Sequence, residues 1–400
     1  MRGHVRERGK GNWYAVLSIR DPQTGKRKTV WRSLPGAAGK REAEVECAKL
    51  VQQIWGGDFV LSDSATLRQW VEHWLNIGAP GRRRQAVEPK TRERYADLLN
   101  VHVLPVLGHR PLQKLQSSEI DALYTALADK LAPTTLNSVH VTFASCLNTA
   151  VRTRKIAKNP MADLAKIPPR GEPDHGIALD EAQLRKLILG FRDHSLYVIV
   201  NVAAFTGARR SEILALRWQD FDPVARTLRI ERSVEHTRRH GLRVKGPKTE
   251  RGKRTIEIDA GLVALLLAER DRHLRLIAGI PDNADVNLSL VRIPDGALIF
   301  PAPPAPDEQI SFTRPRTPQG VTEAFQKVAT KLGFADLRFH DLRGTHETML
   351  LDAGVPVHVV AARGGHDPAV LLRSYAKRTK TADARAASAI ARIARNVTGT

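Results

Sequence analysis

The chain has 400 residues, 42% of them hydrophobic, and 63 Lys and Arg against 42 Asp and Glu give it a net charge of +21. That length implies two or three domains with ordinary cores, and the charge favours polyanionic partners through counterion release and steering. The only cysteines, Cys47 and Cys146, form no CxxC pair, the opening MRGHVRERGKGNW is charged, and no stretch approaches the ~20 apolar residues of a membrane span, which excludes a disulfide framework, a cysteine zinc site, a signal peptide and a membrane role.

In chain order, Trp13 to Ile19 alternates apolar and polar positions, residues 21–25 carry turn chemistry, and Lys28 to Arg32 resumes a strand, so a hairpin is predicted. A helix follows from about Gly39 to Trp55, with Val45, Ala48, Val51 and Trp55 as its apolar stripe. The run TGKRKT is no phosphate loop, because Arg20 stands where a glycine is required. From Asp63 an all-helical region begins. Thr66 to Leu75 turns Leu67, Trp70, Val71 and Trp74 inward, residues 78–89 form a polar break with the exposed cluster Arg82-Arg83-Arg84, and further helices cover about 89–104, 117–130 and 133–154. The proline-bearing stretch 167–173 reads as a linker. After it, helices alternate with strands at Thr227 to Glu231 and Arg254 to Ile258 and a basic hairpin around Gly246; residues 279–296 and 301–306 read as loop, and the alanine-rich tail after Thr379 as a last amphipathic helix.

Three motifs carry chemistry. In TGARRSEILALRW, Gly207 ends one helix in the left-handed geometry that glycine tolerates, and a helix from Ser211 to Trp218 is predicted next. Arg209 and Arg210 then sit at a helix start, where the macrodipole disfavours cations unless an anion binds there; Glu212 can pair with one of them. In HDLRGTHETMLLDAG, Leu342, His346, Met349 and Ala353 share one stripe while His340, Arg343 and Glu347 share its neighbour. His340 and Arg343 offer an acid/base group and a bidentate phosphate clamp one turn apart. His346, on the apolar stripe, reads as a packed histidine, and Asp341 as a dipole partner. In RGGHDPAVLLRSYAK, Asp367-Pro368 starts a helix, leaving His366 just outside it and Tyr375 two turns inside. A phenol with an ordinary pKa of about 10 becomes a useful nucleophile only where fixed cations stabilise the developing charge. For a leaving-group acid, Lys245, Lys248 and Lys253 are equivalent by chemistry alone. A metal site among His340, Asp341, His346, His358 and His366 is not supported, since no HExxH spacing occurs.

In this order the motifs resemble the tyrosine recombinase family, specifically its phage-type, lambda-integrase-like members. TGARRSEI is similar to the first arginine box and implies Arg209 as the catalytic arginine, with Gly207 and Glu212 in support. PKTERGKRTI is similar to the lysine box and selects Lys248; HDLRGTHET implies His340 and Arg343; GGHDPAVLLRSYAK implies His366 and the nucleophile Tyr375. The resemblance implies a multidomain, mainly α fold with small β elements. Its parts are an N-terminal β-sheet-plus-helix domain for arm-type DNA sites (1–60), a helical core-binding, SAM-like domain (63–165) and an α+β catalytic domain ending in an exchanged helix (174–400).

The function implied is site-specific DNA recombination or integration for a phage or mobile element, through a 3′-phosphotyrosyl intermediate and with neither ATP nor metal. Double-stranded attachment-site DNA, a homotetramer on paired sites and an accessory directionality or DNA-bending factor are the implied partners, in the cytoplasm and nucleoid of a bacterial host. A chromosome-dimer resolvase of the same family and a catalytically silent DNA-binding regulator are the alternatives; the extra unit before Asp63 argues against the first and the full residue set against the second. Two positions depart from the family pattern. Gly365 stands where leucine is usual, implying a looser loop, and the segment 279–318 exceeds the usual compact connection.

Overall fold

The structure is a computed structural model and describes residues 3–20, 27–55, 63–171, 176–246, 252–281, 284–372 and 390–391. It divides into two compact units, Met1–Pro173 and Asp174–Thr400, with the cut at the proline-bearing stretch.

The first unit opens with an antiparallel sheet in the order β1 (Gly3–Glu7), β2 (Trp13–Arg20), β3 (Arg27–Ser33). β1 gives no apolar alternation; its register against β2, from Gly3 opposite Leu17 to Glu7 opposite Trp13, rests on backbone pairing. β2 contributes buried Ala15 and Leu17 to a small core completed by α1 (Lys40–Trp55). The α1 stripe differs from the expected one. Ala43 and Cys47 are buried, with Leu50 and Val51 packed beside them, whereas Val45 and Ala48 are exposed and the Trp55 side chain lies outside the described residues. Small residues here line the close approach of helix to sheet, so the bulkier Val45 faces water.

A separate, larger core belongs to the helical part of this unit. In α2 (Leu67–Asn76) the buried residues are Leu67, Trp70, Val71 and Trp74, and Thr66 and Gln69 form a reciprocal capping box that fixes its start. α3 (Pro89–His102), the single turn α4 (Leu104–Leu107), α5 (Ser117–Ala128) and α6 (Pro133–Arg152) enclose Leu99, Phe143 and Leu147. Between α2 and α3 the chain is pinned where the Pro80 carbonyl accepts from Thr149 Oγ1 at 3.0 Å and from Arg152 Nη2 at 3.3 Å. Arg82, Arg83 and Arg84 stand exposed just beyond.

The second unit begins with α7 (Glu181–Gly190) and the almost wholly apolar α8 (Tyr197–Thr206), which is buried on several faces. The next helix, α9 (Arg210–Ile213), is one turn long instead of extending to Trp218. Its successor residues are claimed by extended pairing: Ile299 N–H donates to the Leu216 carbonyl at 2.9 Å and Trp218 N–H to the Ala297 carbonyl at 3.1 Å. Strands β4 (Phe221–Asp222), β5 (Thr227–Ile230) and β8 (Arg254–Glu257) form one antiparallel sheet, while β6 (Ser233–Thr237) and β7 (Gly241–Lys245) form a hairpin. That hairpin turns at 238–240; the hairpin expected around Gly246 falls on 247–251, outside the described residues.

α10 (Ala260–Ala278), α11 (Pro318–Lys331), α12 (Asp341–Asp352) and α13 (Val357–Gly364) complete the helices considered below. The segment 279–318 is irregular yet not loose at its centre. Ala297, Leu298, Ile299 and Phe300 are buried, and Leu298 N–H donates to the Phe312 carbonyl at 2.8 Å, so this run lies in extended form between residues 216–218 and 312–314. No helix among the described residues is long and apolar enough to cross a membrane.

Candidate active site

The site is built where the ends of α8, α12 and α13 meet β8. Gly207, with φ 63°, caps α8 in the left-handed region, and a side chain there would also collide with His346, whose Cδ2 would stand 2.6 Å from its Cβ. The turn releases the chain into Arg209, the N-cap of α9. Glu212, three residues on, closes back on it: its Oε2 accepts from Arg209 N–H at 2.9 Å and its Oε1 from Arg209 Nη1 at 2.8 Å. The second arm of Arg209, Nη2, donates to the Gly365 carbonyl at 3.2 Å. Arg210 turns away, onto Thr322 of α11.

Glu212 is buried and bridges two arginines, because Arg254 Nη2 of β8 also donates to its Oε2 at 2.8 Å. Burial alone would raise the Glu212 pKa, but the hydrogen bond and charge of Arg254, and then Arg209, outweigh it and hold the carboxyl below its ordinary value. Arg254 is anchored further by donating through Nε to the Arg363 carbonyl at 2.7 Å. Arg363 in turn joins three elements, donating to Phe205 and Glu257 carbonyls at 3.0 Å each and to His346 Nε2 at 3.1 Å.

On α12, Arg343 is 6% exposed, donates through Nη1 to the Gly207 carbonyl at 2.9 Å, and pairs through Nε with Glu347 at 3.0 Å. Burial pushes its pKa down to about 10, which still leaves it charged at neutral pH. His340, the N-cap of α12, is open to solvent at its outer edge. The protein around its ring nevertheless disfavours the cation, Arg343 adds repulsion, and its pKa is lowered. Asp341 pairs with Arg338 at 3.0 Å and anchors the helix start.

His366 follows the end of α13. Gly365 caps that helix at φ 68° and is buried, with its N–H bonded to the Ala361 and Ala362 carbonyls, and His366 N–H donates to Ala361 O at 3.1 Å. The turn is thus tightly held, contrary to the looser loop expected from a glycine at this place. His366 Nε2 lies 3.0 Å from Glu347 Oε1. Arg209, Arg343 and His366 are therefore brought together through Gly365 and Glu347, from three elements distant in sequence. Lys248 and Tyr375 lie outside the described residues. Of the competing lysines, Lys245 pairs with Glu235 at 2.6 Å and Lys253 is exposed. Among the described residues no group of three or more His, Cys, Asp and Glu is placed to hold a metal ion.

Sequence reasoning missed Arg254 and Arg363 and gave Glu347 no role. For Glu347 the signal was present in its i, i+4 spacing from Arg343; for the two arginines none was, since each acts through side-chain and carbonyl partners remote in sequence.

His346 is the packed histidine its stripe implies. Nδ1 faces the Ala204 carbonyl at 2.9 Å and Nε2 accepts from Arg363, which fits a neutral ring protonated on Nδ1. Burial, then the Arg363 charge, push its pKa down to about 4 from 6.5. The unfolded chain takes up this proton first, so the stabilisation is fully present above about pH 6.5 and is lost as pH falls toward 4. Over that window the loss is about 3 kcal/mol at ~1.4 kcal/mol per pH unit. Denaturant unfolding between pH 7 and 4.5 is expected to show a shallower decline in His346→Asn than in the unsubstituted chain; equal slopes would refute the assignment.

Residues 178–381 match the family model described as phage integrase family, and residues 67–167 match the phage integrase central domain. An integrase from Streptomyces ambofaciens is 27% identical over 88% of this chain and 86% of its own length. A putative prophage phiRv2 integrase of Mycobacterium tuberculosis is 22% identical over 98% of this chain and 96% of its own. Among solved structures, Tn1549 transposon integrase in complex with a circular intermediate DNA superposes with a TM-score of 0.60 at 20% identity, covering 82% of this chain and 100% of that one. A lambda integrase dimer bound to a core site gives 0.55 at 15% identity, covering 94% and 95%. With more than half of its length inside the family match, the chain belongs to the phage integrase family and is a site-specific tyrosine recombinase.

Proposed function

We propose that the chain cuts and rejoins duplex DNA at the attachment sites of a phage or mobile element through a covalent 3′-phosphotyrosyl bond at Tyr375. The observation that carries this is the convergence of Arg209, Arg343 and His366 through Gly365 and Glu347, which gathers three phosphate-binding groups around one turn. Tyr375 attacks the scissile phosphorus, the P–O5′ bond breaks, and a free 5′-hydroxyl leaves. Arg209, Arg343 and His366 hold the non-bridging oxygens as charge develops. Lys248 protonates the leaving 5′-oxygen. His340, whose lowered pKa keeps a lone pair available near neutrality, takes part in proton transfer at the tyrosine. The covalent link conserves the bond, so rejoining by a 5′-hydroxyl needs neither ATP nor a metal.

The domain roles follow: an arm-site reader over 1–60, a core-site binder over 63–165 and the catalytic domain over 174–400. Similar solved integrases are DNA complexes, and lambda integrase is recorded as a tetramer on a Holliday junction; a tetramer on two paired duplexes, assisted by a directionality or DNA-bending factor, is the assembly proposed here. Its setting is the bacterial cytoplasm, on nucleoid DNA. The sheet and helix that precede the helical region favour the integrase reading over a resolvase, which needs no arm-site reader.

The test is to incubate the chain, in EDTA and without ATP, with a nicked duplex spanning the junction at the end of the element that encodes it. A denaturation-resistant adduct on the 3′-phosphate side of the break is expected. Attachment to the 5′ side, or dependence on added metal, would overturn the mechanism.

A further inference from the structure

We infer that Glu347 is a positioning residue for strand cleavage, holding Arg343 and His366 at a fixed spacing on the scissile phosphate; this rests on the function proposed above. Its carboxylate is 6% exposed, and a single oxygen, Oε1, lies 3.0 Å from Arg343 Nε and 3.0 Å from His366 Nε2. Arg343 is thereby held on two sides, through Nε by Glu347 and through Nη1 by the Gly207 carbonyl at 2.9 Å. Two bonds fix the plane of a guanidinium, and the remaining N–H directions are then set. The imidazole of His366 is oriented by the same oxygen. A Cβ at Gly364 would meet His366 Nε2 at 2.7 Å and Arg343 Nη2 at 3.0 Å, so both groups crowd one point on the backbone that only glycine leaves open.

The charge logic separates this role from simple phosphate binding. A buried carboxylate beside a phosphate site repels the incoming anion, so Glu347 opposes ground-state binding of DNA. What it gives instead is a counter-charge for the buried Arg343 before DNA arrives, a fixed hydrogen-bond partner for His366, and a rigid geometry when the phosphorane develops. Glu212 likewise bridges Arg209 and Arg254, so the site holds two buried carboxylates that each tie two nitrogen-bearing side chains together.

Opposite effects on binding and cleavage follow. Glu347→Gln keeps size and one acceptor but removes the charge; it is expected to bind the nicked duplex as tightly as the unsubstituted chain or a few-fold more tightly. Its adduct formation should be slower by roughly 10- to 100-fold, the scale of a misplaced catalytic contact. On a duplex whose scissile phosphate carries a methyl group in place of one non-bridging oxygen, the ground state is neutral and a single oxygen gathers charge in the phosphorane, so less of the rate depends on the alignment of Arg343 with His366 and the two chains should react within about threefold of each other. Glu347→Asp, which keeps the charge and retracts the oxygens, should melt like the unsubstituted chain yet still cleave slowly. An equal defect on phosphate and methylphosphonate duplexes, or full activity in Glu347→Asp, would overturn the positioning role. If the unsubstituted chain itself forms no adduct on the phosphate duplex, the function reading falls first and this one with it.

Discussion

Tyr375→Phe is expected to form no covalent adduct with the nicked duplex while binding it as the unsubstituted chain does. The loss should be roughly 10⁴-fold or more, the scale on which removal of a nucleophile acts in enzymes with covalent intermediates. The substitution deletes one oxygen and leaves the aromatic ring, so it spares whatever the ring packs against. The described residues show that the approach to Tyr375 is anchored. Ala369 N–H donates to Asp367 Oδ1 at 2.9 Å, Val370 and Leu371 N–H bond to the Asp367 carbonyl, and Leu371 is fully buried with Val360 and Ala361. Three residues, Leu372, Arg373 and Ser374, separate Leu371 from Tyr375 in the sequence. An adduct that persists in Tyr375→Phe, read as a protein-linked labelled strand after denaturation, would assign the nucleophile elsewhere.

Much of this was legible in the sequence, and the failures have physical causes. α2 was readable because its inward residues are large, its outward residues polar and its capping box complete. α1 was misphased because Ala43 and Cys47, small enough for a helix to lie close on a sheet, carry less apolar signal than the exposed Val45. α9 was overextended because Ile213, Leu214, Ala215 and Leu216 are all buried, so no periodicity distinguishes one helical turn from an extended run. The partner of that run, Ala297 to Phe300, is a short apolar stretch between Gly296 and Pro301, a signature of a buried extended segment hidden inside what composition marks as loop. Within the site, motif order pointed to Arg209, Arg343 and His366 because each must face phosphate. The bonds that hold them, to the Gly207 and Gly365 carbonyls and to Glu347, depend on chain ends meeting across the fold.

Arg343→Lys, conservative in charge, is expected to slow adduct formation by roughly 10²- to 10³-fold, the effect of removing one fixed donor to a developing oxyanion. Arg343 spans the Gly207 carbonyl and Glu347 with separate nitrogens and presents a third edge to the site. A lysine ammonium is a single point at the end of a flexible stem and cannot hold both partners while facing phosphate. Charge adds a second penalty. Burial already brings the guanidinium from 12.5 to about 10; the same burial acts on a lysine whose ordinary value, about 10.4, is lower to begin with. The activity of Arg343→Lys relative to the unsubstituted chain should therefore fall as pH rises, because a buried lysine gives up its proton at a lower pH than the arginine does. Glu347 would then keep a buried negative charge with one cation fewer, which adds repulsion to the phosphate it borders. Single-turnover adduct formation on the nicked duplex at pH 7 and pH 9 measures both effects. A variant rate within threefold of the unsubstituted chain at pH 7 would mean that position 343 supplies charge alone, and that the two bonds orienting its guanidinium are structural.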